Sequence, residues 1–388
     1  MKHRIAIAME CPLMLFGGVE VLIRELLKEL TAHYDIVLVS GDPSRQDIPK
    51  QYDDLIVGHI YWKREAVTYA SARRLAEQLR AEKVELVHFN FSGVYTWGGR
   101  FFGRCPVVAC SRLDIPTITT VHLVESTLEG FCGPLKPLWF KLLLWPWAWA
   151  SRLCTFLHAK QEIAVSRHDM ERMRRWFWPW RNRVGLLYHS RIKEEQERPI
   201  DLDNREPILL SVGTLGRRKG QTFLIRAFAR VAQAHPEWKL VIVGRADAET
   251  DARTIQAEMA RTGLGDRVVW TGPISTDEII DLMYRASLFG MPSLEEALGL
   301  SLQEALYRGC PAVGSKVGGI PELIDQQSNG LLVPPANVEK LAEALDALLS
   351  DDSLRKKMAS QARPSVIRKG MTHRQMIESY RRVYDSYL

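Results

Sequence analysis

Glu296 and Glu304 stand eight positions apart in the run Pro292-Ser293-Leu294-Glu295-Glu296-Ala297-Leu298-Gly299-Leu300-Ser301-Leu302-Gln303-Glu304-Ala305-Leu306. On one continuous helix, eight steps of about 100° would leave them roughly 80° apart. The spacing therefore places Glu296 on a strand-to-helix loop and Glu304 one to two turns into the helix. From those heights both can face one ligand, and carboxylates accept hydrogen bonds from pairs of sugar or ribose hydroxyls. A second segment, Ser211-Val212-Gly213-Thr214-Leu215-Gly216-Arg217-Arg218-Lys219-Gly220, sets three cations beside glycines at another strand-to-helix turn. That composition suits a diphosphate, although Gly220 after the lysine excludes a G-x-x-x-x-G-K-[ST] loop. A solvated basic turn is the plainer alternative. Phe16-Gly17-Gly18-Val19-Glu20 opens the first helix. Glycines there let a ligand approach the backbone, and the helix start offers N–H groups to an anion; alone, the segment also reads as a simple turn. His122 ends a strand, where a satisfied core histidine is an equal reading.

The elements that must hold these residues alternate in type. Strand-like runs fall at Arg4–Met9, Ile36–Ser40, Leu86–Asn90, Ile118–His122 and Ile163–Ser166. They resume at Ile208–Gly213, Lys239–Gly244, Arg267–Gly272, Leu288–Pro292 and Pro311–Ser315. Amphipathic helical stretches such as Val19–Leu30, Glu65–Ala81, Thr222–Ala234 and Asp277–Ala286 separate them. This alternation predicts an α/β chain with parallel sheets wound on both faces, and apolar strands such as Leu240–Val243 suit a sheet covered on both sides. The charged, proline-bearing stretch 194–207 reads as a linker. It divides a Rossmann-like N-terminal domain, 1–193, from a Rossmann-like C-terminal domain, 208–371. Two such domains predict a ligand in a cleft beyond the carboxyl ends of the strands, where Gly272 closes one strand.

Composition narrows the class further. A chain of 388 residues with 46% apolar and 25% charged content is globular, with two or three domains. Its six cysteines form no C-x-x-C pair, so neither a disulfide framework nor a structural zinc is expected, and the compartment reads as reduced and cytosolic. Lys2 and Arg4 precede a short apolar run that Glu10 and Pro12 interrupt, so a first strand is expected rather than a secretion signal. The apolar run 138–157 is interrupted by Lys141, Pro146 and Arg152 and is too short to span a bilayer. Residues 151–193 carry a net +7, and seven of the eleven tryptophans lie beside or within this stretch.

The run 292–313, then Val317-Gly318-Gly319-Ile320-Pro321-Glu322-Leu323-Ile324 and Asn329-Gly330-Leu331-Leu332-Val333-Pro334, resembles the signature of glycosyltransferase family 4 (glycosyl transferases group 1). The likeness extends from 212–220 to about residue 360. It is looser through Gly17-Gly18-Val19-Glu20, Thr119-Thr120-Val121-His122 and Ile163-Ala164-Val165-Ser166-Arg167. The resemblance implies a GT-B fold, two Rossmann-like domains facing a cleft, with the final helix, 372–388, packed back onto the first. It implies a retaining transferase that moves a sugar from a nucleotide-diphosphate sugar to a hydroxyl acceptor by front-face substitution. In that reading Glu296, His122 and Lys219 are catalytic: Glu296 and His122 meet the donor sugar and Lys219 its diphosphate. Glu304 holds the ribose, and Gly17 and Gly18 line the diphosphate or the acceptor mouth. Gly272, Gly299 and Leu300 complete the substrate-binding set.

Three departures from the family pattern stand out. Thr214 replaces the usual arginine of the phosphate loop; Arg191, or Arg217 and Arg218, would restore the charge. Glu-Ala-Leu-Gly replaces Glu-Gly-Phe-Gly at 296–299, and Leu123 follows His122 where a small residue is frequent. The D-x-D triplet Asp201-Leu202-Asp203 sits in the linker, so no metal and no cofactor is expected. The Trp/Arg-rich region 139–193 suits an anionic membrane surface and a lipid-linked or cell-envelope acceptor, with the protein cytoplasmic and peripheral on the inner face of the membrane. First-domain core with snorkelling arginines is its alternative. A nucleotide-sugar epimerase of the same architecture and a basic, aromatic nucleic-acid binder are the rival functions; no recognised nucleic-acid module is present.

Overall fold

The computed structural model describes residues 2–15, 18–63, 68–93, 96–99, 101, 103–122, 137–194 and 198–388. The chain divides into two compact units, Met1–Tyr188 together with Gln375–Leu388, and His189–Arg374.

The first unit holds a seven-stranded parallel sheet. Its strands are β1 (Arg4–Ala8), β2 (Asp35–Ser40), β3 (Gly58–Tyr61), β4 (Leu86–Phe91), β5 (Thr117–Val121), β6 (Gln161–Ala164) and β7 (Val184–Leu186), ordered β3-β2-β1-β4-β5-β6-β7. Side chains alternate across a strand, and the packing follows that period. Ile5 and Ile7 of β1 enter one apolar cluster with Ile36 and Leu38, while Ala6 and Ala8 enter another with Val37 and Val39. Both faces are thus covered, which explains why β4 and β5 are buried along their whole length. The last helix, His373–Asp385, supplies Met376, Tyr380 and Tyr384 to the first of these clusters.

The second unit repeats the plan with six parallel strands: β8 (Glu206–Val212), β9 (Lys239–Val243), β10 (Val268–Trp270), β11 (Ala286–Met291), β12 (Ala312–Ser315) and β13 (Gly330–Val333). Their order is β10-β9-β8-β11-β12-β13. In each unit the winding reverses beside the first strand, between β1 and β4 and between β8 and β11. Open α/β sheets bind ligands beyond the strand carboxyl ends at such a point. In the second unit, the loops that leave β8 and β11 are those carrying residues 213–220 and 292–299.

The apolar run 138–157 forms one helix, Leu138–His158, with Pro146 in its interior. Proline removes one backbone donor, and the residue four positions earlier, Leu142, is exposed. Proline does not break the segment here.

Candidate functional site

The loop after β8 makes a short turn at Arg217–Lys219 and enters the helix Gln221–Val231. The loop after β11 runs to the helix Leu300–Tyr307, capped by Gly299. Backbone contacts tie the two loops together: the N–H groups of Leu294 and Glu295 donate to the Arg218 carbonyl, at 2.8 and 3.3 Å. Gly220, with φ +68°, passes so close that a Cβ would lie 2.2 Å from the Pro292 carbonyl oxygen. Any side chain there would separate the loops. On the far side, a Cβ on Gly318 would lie 1.6 Å from the Glu296 carbonyl oxygen. The loop that carries Glu296 is therefore closely approached twice, by Gly220 at Pro292 and by Gly318 at Glu296 itself, and Gly318 is a residue whose role the sequence signature alone does not reveal.

This clamping sets the polar geometry. Lys219 Nζ donates to Glu296 Oε2 at 2.5 Å, and Ser293 Oγ lies 3.5 Å from the same oxygen. Glu304, in the second turn of the Leu300–Tyr307 helix, accepts from Arg191 Nε at 2.6 Å. Arg191 is brought there by the chain just before β8. Gln303 Nε2, on the same helix, donates to the His189 carbonyl at 3.0 Å and fastens that segment. Ser301 Oγ donates to the Val212 carbonyl at 2.8 Å and seats the helix on the end of β8. Two ion pairs, Lys219–Glu296 and Arg191–Glu304, are thus held by the segments around neighbouring central strands, each pair partly open to solvent.

The other predicted positions in this unit fall around that group. Arg217 and Arg218 have exposed side chains, so of the three adjacent cations Lys219 is the one turned to Glu296. Gly272 follows β10, and its carbonyl accepts from the Gly244 N–H at 3.0 Å; the Gly213 N–H in turn donates to the Val243 carbonyl. These backbone bonds continue the sheet past β8, β9 and β10. Leu298 is buried beneath the loop, so Ala297 is the more accessible of the two residues that depart from the family pattern. Asp201 is engaged within its own turn, accepting from the Asp203 and Asn204 N–H groups and from Asn204 Nδ2, while Asp203 pairs with Lys356. Asp201 thus serves its own turn, and Asp203 ties that turn to the distant Lys356.

At the carboxyl ends of β4 and β5 in the first sheet the polar groups are Asn90 and His122. The His122 N–H donates to the Phe91 carbonyl and extends β5 by one residue. Its Nε2 lies 3.0 Å from Asn90 Oδ1. Asn90 Nδ2 donates to the Ala8 carbonyl at 3.3 Å, which leaves Oδ1 as the acceptor and makes the imidazole an Nε2–H donor. Burial pulls the His122 pKa down to about 3, so the half-buried ring is neutral throughout the physiological range. Beneath it, His88 bridges Tyr384 Oη and Thr120 Oγ1 at 2.7 and 2.8 Å, and burial likewise lowers its pKa to about 3. Gly18 is the first residue of the Gly18–Leu30 helix and is exposed. Gly17 lies outside the described residues.

Comparison with known proteins follows the same division. The "Glycosyltransferase Family 4" profile matches residues 16–189, and the "Glycosyl transferases group 1" profile matches residues 192–364. An uncharacterized glycosyltransferase of Methanocaldococcus jannaschii is 31% identical over 191 residues, 49% of this chain and 47% of that protein. N-acetyl-alpha-D-glucosaminyl L-malate synthase of Bacillus anthracis is 23% identical over 378 residues, 95% of this chain and 93% of that one. The chain spans less than half the length of the first curated relatives it matches. A protein of Anabaena, solved in complex with UDP-glucose, shares the fold with a TM-score of 0.75 at 17% identity, covering 99% of each chain. Two profiles lying nearly end to end over two Rossmann-like sheets make this chain a member of the group 1, family 4 glycosyltransferases, with the GT-B fold.

Proposed function

We propose that the protein is a retaining glycosyltransferase, moving a sugar from a nucleotide-diphosphate sugar to a hydroxyl on a lipid-linked or cell-envelope acceptor. The observation that carries this reading is the pair of open ion pairs, Lys219–Glu296 and Arg191–Glu304, on one sheet end. Without ligand each charge satisfies the other. A donor re-partners all four: ribose hydroxyls donate to Glu304 and sugar hydroxyls to Glu296, while Lys219 and Arg191 turn to the diphosphate. Arg191 then fills the place left by Thr214.

The chemistry asks for that distribution. The bond from the anomeric carbon to the diphosphate oxygen breaks, and its electron pair leaves with the diphosphate. The acceptor oxygen bonds the same face of that carbon, and its proton passes to the departing phosphate oxygen. Negative charge grows on the leaving group, and fixed cations aimed at it are worth about 3–4 kcal/mol each in such sites. Lys219 and Arg191 supply this charge without a metal. A fold relative that carries UDP-glucose supports the donor class. His122, neutral at working pH, serves as a hydrogen-bond partner for a substrate hydroxyl rather than as a proton donor.

The test is a thermal-shift panel of UDP-, GDP- and ADP-sugars in the presence of a chelator, followed by mass spectrometry of the products. One donor should raise the melting temperature by mass action, and nucleoside diphosphate should be released when acceptor is present. No shift with any donor, or conversion to an epimeric nucleotide sugar without diphosphate release, overturns the reading.

A further inference from the structure

We infer that the outward face of the Leu138–His158 helix, with the adjoining Trp178–Arg183 turn, is an in-plane docking surface for an anionic lipid bilayer. The inference rests on the surface itself and is independent of the glycosyl-transfer reading. The two sides of the helix differ in chemistry. Its inward side buries Ala148, Ser151, Arg152, Thr155 and Phe156 against the first unit. Its outward half presents Leu138, Trp139, Leu142, Leu143, Pro146 and Trp147, all exposed. At helical spacing no charged residue falls on that half between Leu138 and Leu157; Lys141 and Arg152 lie on the other. Trp139 is 67% exposed and Leu143 70%.

The tryptophans of the region divide. Trp149 and Trp176 meet edge to face at 5.7 Å and pack beside Phe177, which stacks on Phe156 at 4.0 Å; these belong to the core. Trp178, next in the chain, is 72% exposed, and Trp180 is also exposed. Arg183 Nη2 donates to the Leu157 carbonyl at 3.2 Å, which joins this turn to the helix end.

A large contiguous apolar patch left exposed marks an interaction or membrane surface, and none of the described residues of the unit covers this outer half. No helix among the described residues is long and apolar enough to cross a membrane, which leaves the interfacial position, with rings at headgroup level. Charge selects the occupant. Lys160, Arg167, Arg175 and Arg181 are exposed across residues 138–183, against one exposed acid, Glu171. Glu162 is buried and neutralised by Arg152. An uncharged aromatic strip in a segment whose exposed charge is predominantly cationic complements anionic headgroups over apolar chains.

The whole chain should cosediment with phosphatidylglycerol-rich vesicles at low salt, more weakly at high salt, and poorly with phosphatidylcholine alone. Its tryptophan emission should be quenched by lipids carrying a quencher near the headgroup. W139E combined with L143E, both at exposed positions, should weaken vesicle binding at least about tenfold, given the depth-dependent cost of charge in lipid, while the melting temperature holds. Absent binding to anionic vesicles at low salt, or no quenching, overturns the inference. So does sedimentation velocity showing a dimer that W139E/L143E converts to monomer, which would assign the face to a second copy of the chain.

Discussion

Two arginine–glutamate pairs in this molecule are alike in chemistry and opposite in setting. Arg152 and Glu162, between the Leu138–His158 helix and β6, are sealed from water, both side chains at 0% exposure, with Phe177 under the guanidinium. Arg191, in the chain ahead of β8, and Glu304, in the second turn of the helix after β11, stand 32% and 11% exposed, and the Lys219–Glu296 pair of the same unit is also partly open. A sealed pair can only hold structure, because no ligand reaches it and neither charge can change partner. An open pair on a sheet end can trade partners with a substrate. Access to water, rather than the presence of an ion pair, separates scaffold from site.

The contrast predicts opposite phenotypes. Arg152→Ala leaves a buried carboxylate without its partner and should cost about 3–5 kcal/mol of stability, read as a large drop in the denaturant midpoint, with the folded fraction retaining its donor affinity. Lys219→Ala and Glu296→Gln should do the reverse: kcat/KM falls by about 10²–10³, while the urea midpoint stays near wild type. Because the two side chains touch, the double variant should lose less than the two losses summed. Equal destabilisation across all three variants would erase the distinction.

A smaller effect sharpens the same point. Arg191→Ala should weaken nucleoside diphosphate binding about tenfold, in the range of one charge-assisted hydrogen bond, measured by calorimetry. Adding Thr214→Arg in that background should recover part of the loss if both positions serve one phosphate. Failure of the rescue, with Arg191→Ala silent, would leave Glu304 as the pair's purpose.

Near neutral pH, the smallest effect belongs to the first unit. His88 is fully buried, with a folded pKa of about 3 against an ordinary 6.5. Below pH 6.5 the unfolded chain takes up a proton that the folded chain refuses, so stability falls as pH drops from about 6.5 toward 3, by at most about 1.4 kcal/mol per pH unit from this group. Urea titrations at a series of pH values should show that slope, and His88→Gln should flatten it. A slope unchanged in the variant would assign it elsewhere.

Legibility from sequence followed physical cause. The run Leu240–Val243 of β9 is buried along its length and is continuously apolar in sequence, so the α/β class was visible. The strands that escaped notice, β3, β7 and β13, all lie at sheet edges and have only three or four residues, too few to show a period. The apolar run 138–157 was recognisable, but its two faces were not, since an apolar residue looks the same whether it meets a core or a solvent-facing surface. At the site, residue types were legible and partners were not. Nothing in Arg217-Arg218-Lys219 marks the third cation as the one that meets Glu296; the turn and the Gly220 approach decide that. Gly318 carries no side chain to signal that it packs against the Glu296 backbone.

The central claim is that the two open pairs exchange partners for a donor diphosphate. A crystal structure of the chain with bound nucleotide sugar tests it most directly. The account predicts Lys219 and Arg191 on diphosphate oxygens, with Glu296 and Glu304 on sugar and ribose hydroxyls. A bound donor whose diphosphate lies away from both cations, with the Lys219–Glu296 and Arg191–Glu304 pairs intact, would contradict it.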